Sequence, residues 1–169
     1  EEIESLAKHI PGVQKIRFWM TFSKQYLTHL EVLQNVGMTR IEPIQYKGID
    51  IVPLQFLKEV LPDPGSLAEN YTGKTSIGCV ISGTKEGKPL TKIIYNICEH
   101  QHAYADCQAQ SVGYTTGVPA SVAAELLCNG TWLKPGVINI EQCDPIPFLE
   151  KLPKAGLNWN VADYEHSID

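Results

Sequence analysis

The chain has 169 residues, 43% of them hydrophobic and 20% charged, with a formal net charge of −5. That make-up predicts one ordinary globular domain with a core of its own over residues 1–169. It excludes two classes: no apolar run reaches the roughly 18 residues that cross a bilayer, and an acidic chain whose only arginines are Arg17 and Arg40 lacks the dense basic surface that holds nucleic acid.

In chain order, EEIESLAKHI is acidic and helical in pattern, without the basic-then-apolar layout of a signal peptide. From Val13 to Phe22 the apolar residues alternate, with Ile16, Phe18, Met20 and Phe22 on one face and Lys15, Arg17, Trp19 and Thr21 on the other, which predicts a half-buried strand. Ser23 caps a helix that Gly37 stops. Short extended pieces follow around Pro43 and Gly48, then a helix opened by Pro53 and closed by Pro62, then a loop with one helical turn in PDPGSLAENYTG. Thr75, Ile77, Cys79 and Ile81 alternate, as do Thr91, Ile93, Tyr95 and Ile97. Between them GTKEGK predicts a β-hairpin with a loop longer than two residues.

The stretch EHQHAYADCQAQSVGY is part helix, and a helix covers 117–129. Val137–Ile140 reads as a short strand, Asp144-Pro145 starts a helix through Phe148, Leu149 and Leu152, and a last strand lies near Asn158–Tyr164. Strands and helices mix without βαβ alternation, so the fold class is α+β on a mixed, largely antiparallel sheet. Five cysteines without a C-x-x-C pair, in contexts such as IGCVIS and ELLCNG, read as reduced, buried thiols of a cytoplasmic protein.

Several chemistries have no motif here: G-x-G-x-x-G, G-x-x-x-x-G-K-[ST], G-x-S-x-G and H-E-x-x-H do not occur. His100 and His102 in CEHQH have no identifiable third metal ligand, so no metal is expected. His100 suits acid–base work, with Glu99 or a backbone carbonyl to orient it. In YTTGVPASVAAELL, Thr115, Thr116 and Gly117 precede Pro119. Such a helix front end either presents N–H groups and hydroxyls to an anion or is merely capped. Trp19 and Tyr26 are pocket aromatics or core aromatics. The residues alone leave these alternatives open and name no reaction.

The strings FWMTFSKQYLTHLEVLQNVGMT (18–39), YNICEHQHAYADCQAQSVGYTTGVPA (95–120) and DPIPFLEKLPKAGLNWNV (144–161) resemble carboxynorspermidine dehydrogenases, close relatives of saccharopine dehydrogenases. The resemblance implies an excised catalytic and dimerisation domain, similar to the second domain of glyceraldehyde-3-phosphate dehydrogenase, whose N-terminal Rossmann half for NADP is absent and which is inactive alone. It implies reductive condensation of aspartate semialdehyde with diaminopropane or putrescine, NADPH supplying hydride, and a homodimer formed through the sheet. It further implies that His100 does the acid–base work while Trp19, Thr21, Lys24, Gln110, Tyr114, Thr115, Thr116 and Gly117 line the substrate pocket. Two other readings stand beside it. Saccharopine dehydrogenase itself would need arginines for its extra carboxylates, and a non-catalytic dimerisation or small-ligand module would need no cofactor.

Overall fold

The computed structural model describes residues 2–165. In chain order the elements are α1 (Glu2–His9), α2 (Lys24–Asn35), β1 (Ile44–Tyr46), β2 (Ile49–Ile51) and α3 (Pro53–Val60), followed by β3 (Lys74–Lys85), β4 (Lys88–Glu99), α4 (His100–Cys107), α5 (Ser111–Cys128), α6 (Pro145–Lys151) and β5 (Asn160–Asp163). Helices and two antiparallel sheets give the α+β class. The chain forms two compact units, Gly12–Ser66 and the remainder on either side of it.

In the Gly12–Ser66 unit the local signals act as read. The Ser23 hydroxyl accepts from the Tyr26 N–H at 3.1 Å and caps α2. At the other end Gly37 takes φ 78° and the Met38 N–H reaches back to the Leu33 carbonyl, a Schellman closure. Pro53 stands at the first turn of α3. Residues 13–22 differ from expectation: they form no strand. Alternation sets which side chains would share a face, but a strand also needs a neighbour to bond, and this stretch pairs with none of the described strands. Phe18, Trp19 and Met20 are accordingly exposed.

The other unit is built on the β3–β4 hairpin, which β5 extends in the order β3-β4-β5. Its turn is tighter than expected. Lys85 pairs with Lys88, and Glu86 and Gly87 take φ 52° and 78°, so a two-residue turn with both φ values positive closes the strands and matches their twist. GTKEGK is mostly strand, because only its Glu-Gly pair needs the left-handed region. The expected strand at Val137–Ile140 is absent. There the Asn139 side chain and Gln142 cap each other around a turn at Ile140–Gln142, and the Asn139 N–H goes to the Gln142 side chain at 2.9 Å instead of to a neighbouring strand.

Register puts Thr75, Cys98, Ile77, Asn96, Cys79 and Ile94 on one sheet face. α5 packs on the end of that face that carries Thr75 and Cys98. Its buried residues Ser111, Tyr114, Thr115, Val122 and Leu126 recur at helical spacing. Leu126 is 1% exposed, and burying such a side chain stabilises by about 2 kcal/mol. Trp132 stacks on Phe148 with centroids 5.5 Å apart, its indole N–H donating to the Asp144 carbonyl at 2.8 Å. The Trp159 indole donates to the Leu149 carbonyl, so both indoles close the core without an orphaned N–H. Of the cysteines only Cys98 is buried and Cys143 half-buried, while Cys79, Cys107 and Cys128 are exposed. Apolar neighbours in sequence misled there. Cys79 sits on an uncovered part of the sheet, and Cys128 on the last turn of α5.

Candidate functional site

The site forms where β4 ends and α4 and α5 begin. α5 starts at Ser111, six residues earlier than its sequence suggests, with Gln110 as its N-cap. Thr115, Thr116 and Gly117 therefore lie in the second turn, and their N–H groups belong to the helical ladder instead of pointing outward. Both threonine hydroxyls turn back to the Val112 carbonyl, at 3.3 and 2.8 Å. The reading of these three as an anion-holding helix end is corrected. Pro119 marks the interior of the helix and withholds one N–H from the Thr115 carbonyl, a loss the long helix sustains.

The true helix end is occupied by His100. This residue begins α4, is 6% exposed, and is held at three points. Its backbone N–H donates to the Gly73 carbonyl at 3.1 Å. Its Nδ1 accepts the Ser111 backbone N–H at 3.2 Å and lies 2.9 Å from the Ser111 hydroxyl. The Tyr71 ring meets it edge-on, centroids 4.5 Å apart. Ser111 is fully buried and passes the chain to the Thr75 hydroxyl at 2.5 Å. Because a backbone N–H points at Nδ1, that nitrogen carries the lone pair and the neutral ring carries its proton on Nε2.

Burial lowers the His100 pKa below its ordinary 6.5. The sign of the consequence follows: as pH falls below 6.5 the unfolded chain takes a proton that the folded chain resists, so stability is present above that pH and drains away as pH falls toward the lowered value. We expect the unfolding free energy between pH 7 and 5, measured by denaturant titration, to fall more steeply for the natural protein than for His100→Asn, by up to about 1.4 kcal/mol per pH unit. Parallel curves would show that His100 titrates alike in both states.

One turn along α5, Tyr114 is 3% exposed. Its hydroxyl is sealed from solvent and has the Asp106 carboxylate as its polar neighbour. It rests against Gly156, which has φ 91°, and burial together with the Asp106 carboxylate beside it pushes the phenol up to about 12. The phenol thus stays protonated throughout the working range. Asp106, Cys107, Gly113, Tyr114, Gly117, Val118, Ser121 and Ala155 line a cleft of about 320 Å³.

Of the residues singled out in the sequence, the structure brings His100, Gln110, Tyr114, Thr115, Thr116 and Gly117 onto α4 and α5, with Tyr114 and Gly117 in the cleft wall. Thr115 is buried under α5, and Thr116 is exposed. Trp19, Thr21 and Lys24 belong to the Gly12–Ser66 unit, the first two in the stretch without regular structure and Lys24 opening α2, all exposed. Sequence reasoning missed Ser111, Asp106 and Gly156. Asp106 had a signal: it is the one acidic residue between Glu99 and Glu125. Among the described residues no group of His, Cys, Asp and Glu is arranged to hold a metal ion, and no helix is long and apolar enough to cross a membrane.

The chain is 54% identical over 160 residues to the carboxyaminopropylagmatine dehydrogenase of Synechocystis, covering 95% of the chain and 40% of that protein. It is 44% identical over 166 residues to the carboxynorspermidine synthase of Vibrio cholerae, and 43% to that of Vibrio alginolyticus, covering 98% of the chain and 40% of each. The chain thus spans about 40% of the length of these relatives. The family described as the saccharopine dehydrogenase C-terminal domain matches residues 1–157, and the chain belongs to that family.

Proposed function

We propose that this chain is the substrate-binding part of a polyamine-forming oxidoreductase that condenses aspartate semialdehyde with a linear amine. The observation that carries the reading is the 54% and 44% identity to proteins named for carboxyaminopropylagmatine and carboxynorspermidine. In the condensation the amine nitrogen adds to the aldehyde carbon, water leaves to give an imine, and a hydride and a proton reduce it to a secondary amine. NADPH supplies the hydride when bound, but the residues present do not fit a dinucleotide: no glycine-rich strand-to-helix turn occurs, and the N–H that opens α5 is already given to His100. The cofactor is held by the part of the longer protein that the relatives possess beyond this match.

Within this reading His100 serves as a neutral donor at Nε2. With Nδ1 filled by the Ser111 N–H, the ring is set to polarise the oxygen of the aldehyde or carbinolamine, and not to shuttle protons as a free histidine does. Trp19, Thr21, Lys24, Gln110, Thr115, Thr116 and Gly117 keep their proposed place in the substrate pocket of the whole enzyme. The protein acts in the cytoplasm as a homodimer through its sheet, whose Ile77, Ile81 and Val161 remain about half exposed. The saccharopine alternative is less favoured: the cleft beside Asp106 has a carboxylate and no cationic side chain, the reverse of what a substrate rich in carboxylates needs.

The deciding experiment follows NADPH consumption by the full-length protein. It is offered aspartate semialdehyde with 1,3-diaminopropane, putrescine or agmatine, and separately aminoadipate semialdehyde with glutamate. Turnover with the amines is expected. Turnover with glutamate alone would move the protein to saccharopine chemistry, and none with either pair would leave a binding module. A monomer in sedimentation of the same preparation would remove the dimer.

A further inference from the structure

We propose that Thr75 on β3 is a positioning residue for His100, acting through the Ser111 hydroxyl to choose which way the imidazole ring faces. The proposal rests on the reading above, in which the His100 Nε2–H meets the substrate oxygen, and names what holds that N–H in place.

Strand register delivers Thr75 to the site. Gly73, Lys74 and Thr75 run antiparallel to Cys98, Glu99 and His100. The Gly73 carbonyl takes the His100 N–H at 3.1 Å, Lys74 pairs with the Glu99 carboxylate at 2.7 Å, and Thr75 stands opposite Cys98. The half-buried Thr75 hydroxyl then lies 2.5 Å from that of Ser111. Ser111 is fully buried and out of a substrate's reach, so whatever it does for the reaction passes through His100.

Packing alone orients this ring weakly. The last torsion of a histidine is roughly two-fold, and half a turn exchanges Nδ1 with Cδ2 and Nε2 with Cε1 at almost constant shape. Ser111 tells the two orientations apart by polarity. Its N–H stands 3.2 Å from Nδ1, and its hydroxyl stands 2.9 Å from Nδ1 and 3.4 Å from Nε2, so the nitrogen-bearing edge of the ring faces it. A flipped ring would set a carbon against these donors and carry the Nε2–H away from the substrate.

The hydroxyl protons have one consistent direction. With the lone pair on Nδ1, a serine oxygen 2.9 Å away repels it unless the O–H points there. Ser111 has a single hydroxyl proton and spends it on Nδ1, so in the bond between the hydroxyls Thr75 donates and Ser111 accepts. Both protons point toward His100, and each bond polarises the next. Without the Thr75 donor, Ser111 keeps a buried acceptor unsatisfied and its hydroxyl is free to leave Nδ1. Thr75 suits the task because its β-branched side chain is stiff at χ1.

The test uses full-length protein with isotope-labelled histidine nitrogens, assayed with NADPH, aspartate semialdehyde and either 1,3-diaminopropane or agmatine. Thr75→Val keeps the shape of the side chain and removes its donor. It is expected to lower kcat about threefold to tenfold, the scale of one neutral hydrogen bond, with both KM values within about twofold of the natural ones. Thr75→Ser restores the hydroxyl and is expected to recover most of the loss. Ser111→Ala removes both hydroxyl bonds and is expected to cost about tenfold or more in kcat. The His100 Nδ1 resonance, identified by its loss in His100→Asn, is expected to move in Thr75→Val and Ser111→Ala and to hold its place in Thr75→Ser. Equal kcat losses in Thr75→Val and Thr75→Ser overturn the proposal, as does a natural kcat with an unmoved resonance in Thr75→Val. No turnover of either amine by the natural protein sinks the reaction instead, and the resonance then judges Thr75 by itself. The same Nδ1 position in natural protein, Thr75→Val and Ser111→Ala overturns its positioning role.

Discussion

On the role proposed for His100, His100→Asn in the full-length protein is expected to lower turnover by about a hundredfold or more, the usual scale for loss of a positioned proton or hydrogen-bond donor. Asparagine separates the two jobs of this side chain. Its Oδ1 comes close to where Nδ1 stood and still accepts the Ser111 N–H, so the joint between α4 and α5 is preserved. What disappears is Nε2–H. His100→Gln is the complement, because its amide N–H reaches the position of Nε2–H and recovers part of the rate. Melting temperatures of both variants, read beside the rates, separate chemistry from folding. A slow asparagine variant with unchanged stability, partly rescued by glutamine, is the expected pattern. Full turnover in both would confine His100 to tying Ser111 and Thr75 into the fold.

Legibility in the sequence followed the range of the interaction responsible. Caps and turns are local: Ser23 before α2, Pro53 at α3 and Asp144 before α6 act within one helical turn and were readable directly. The long hairpin was readable because β3 and β4 are neighbours in the chain, so alternation and partner arrive together. Residues 13–22 have the same alternation without a neighbouring strand, and the pattern alone does not supply one.

The site shows the same divide. His100 stood out by its chemistry, but its tautomer depends on Ser111, eleven residues away, and on where α5 begins. Pro119 and the threonines before it resemble a helix start, and only the packing of Ser111 against His100 and Thr75 shows that the helix is already under way. Resemblance to a family reached further than pattern, since long matched strings carry the tertiary context that short motifs lack. Asp106 escaped because a single carboxylate becomes meaningful only when Tyr114 and Gly156 are brought beside it.

Gly156→Ala is the substitution that tests that corner most severely. Gly156 ends the Pro153–Ala155 turn with φ 91°, a conformation that costs a residue with a Cβ about 1–2 kcal/mol. The new Cβ would also stand 2.2 Å from the Tyr114 hydroxyl oxygen, so the ring has to move or the turn has to lift. Overpacking of this kind costs about 1–3 kcal/mol, and the two terms together predict a loss of roughly 2–5 kcal/mol. The ring carbon that bears the hydroxyl lies 3.5 Å from the same Cβ, an ordinary contact, so the collision belongs to the oxygen alone. Making the substitution in a Tyr114→Phe background therefore leaves only the backbone strain. Denaturation of the four proteins gives the coupling directly, and about 1–3 kcal/mol is expected between the two sites. Equal cost of Gly156→Ala with tyrosine and with phenylalanine would mean that the hydroxyl does not press on the turn, and that Tyr114 meets Asp106 in some other arrangement.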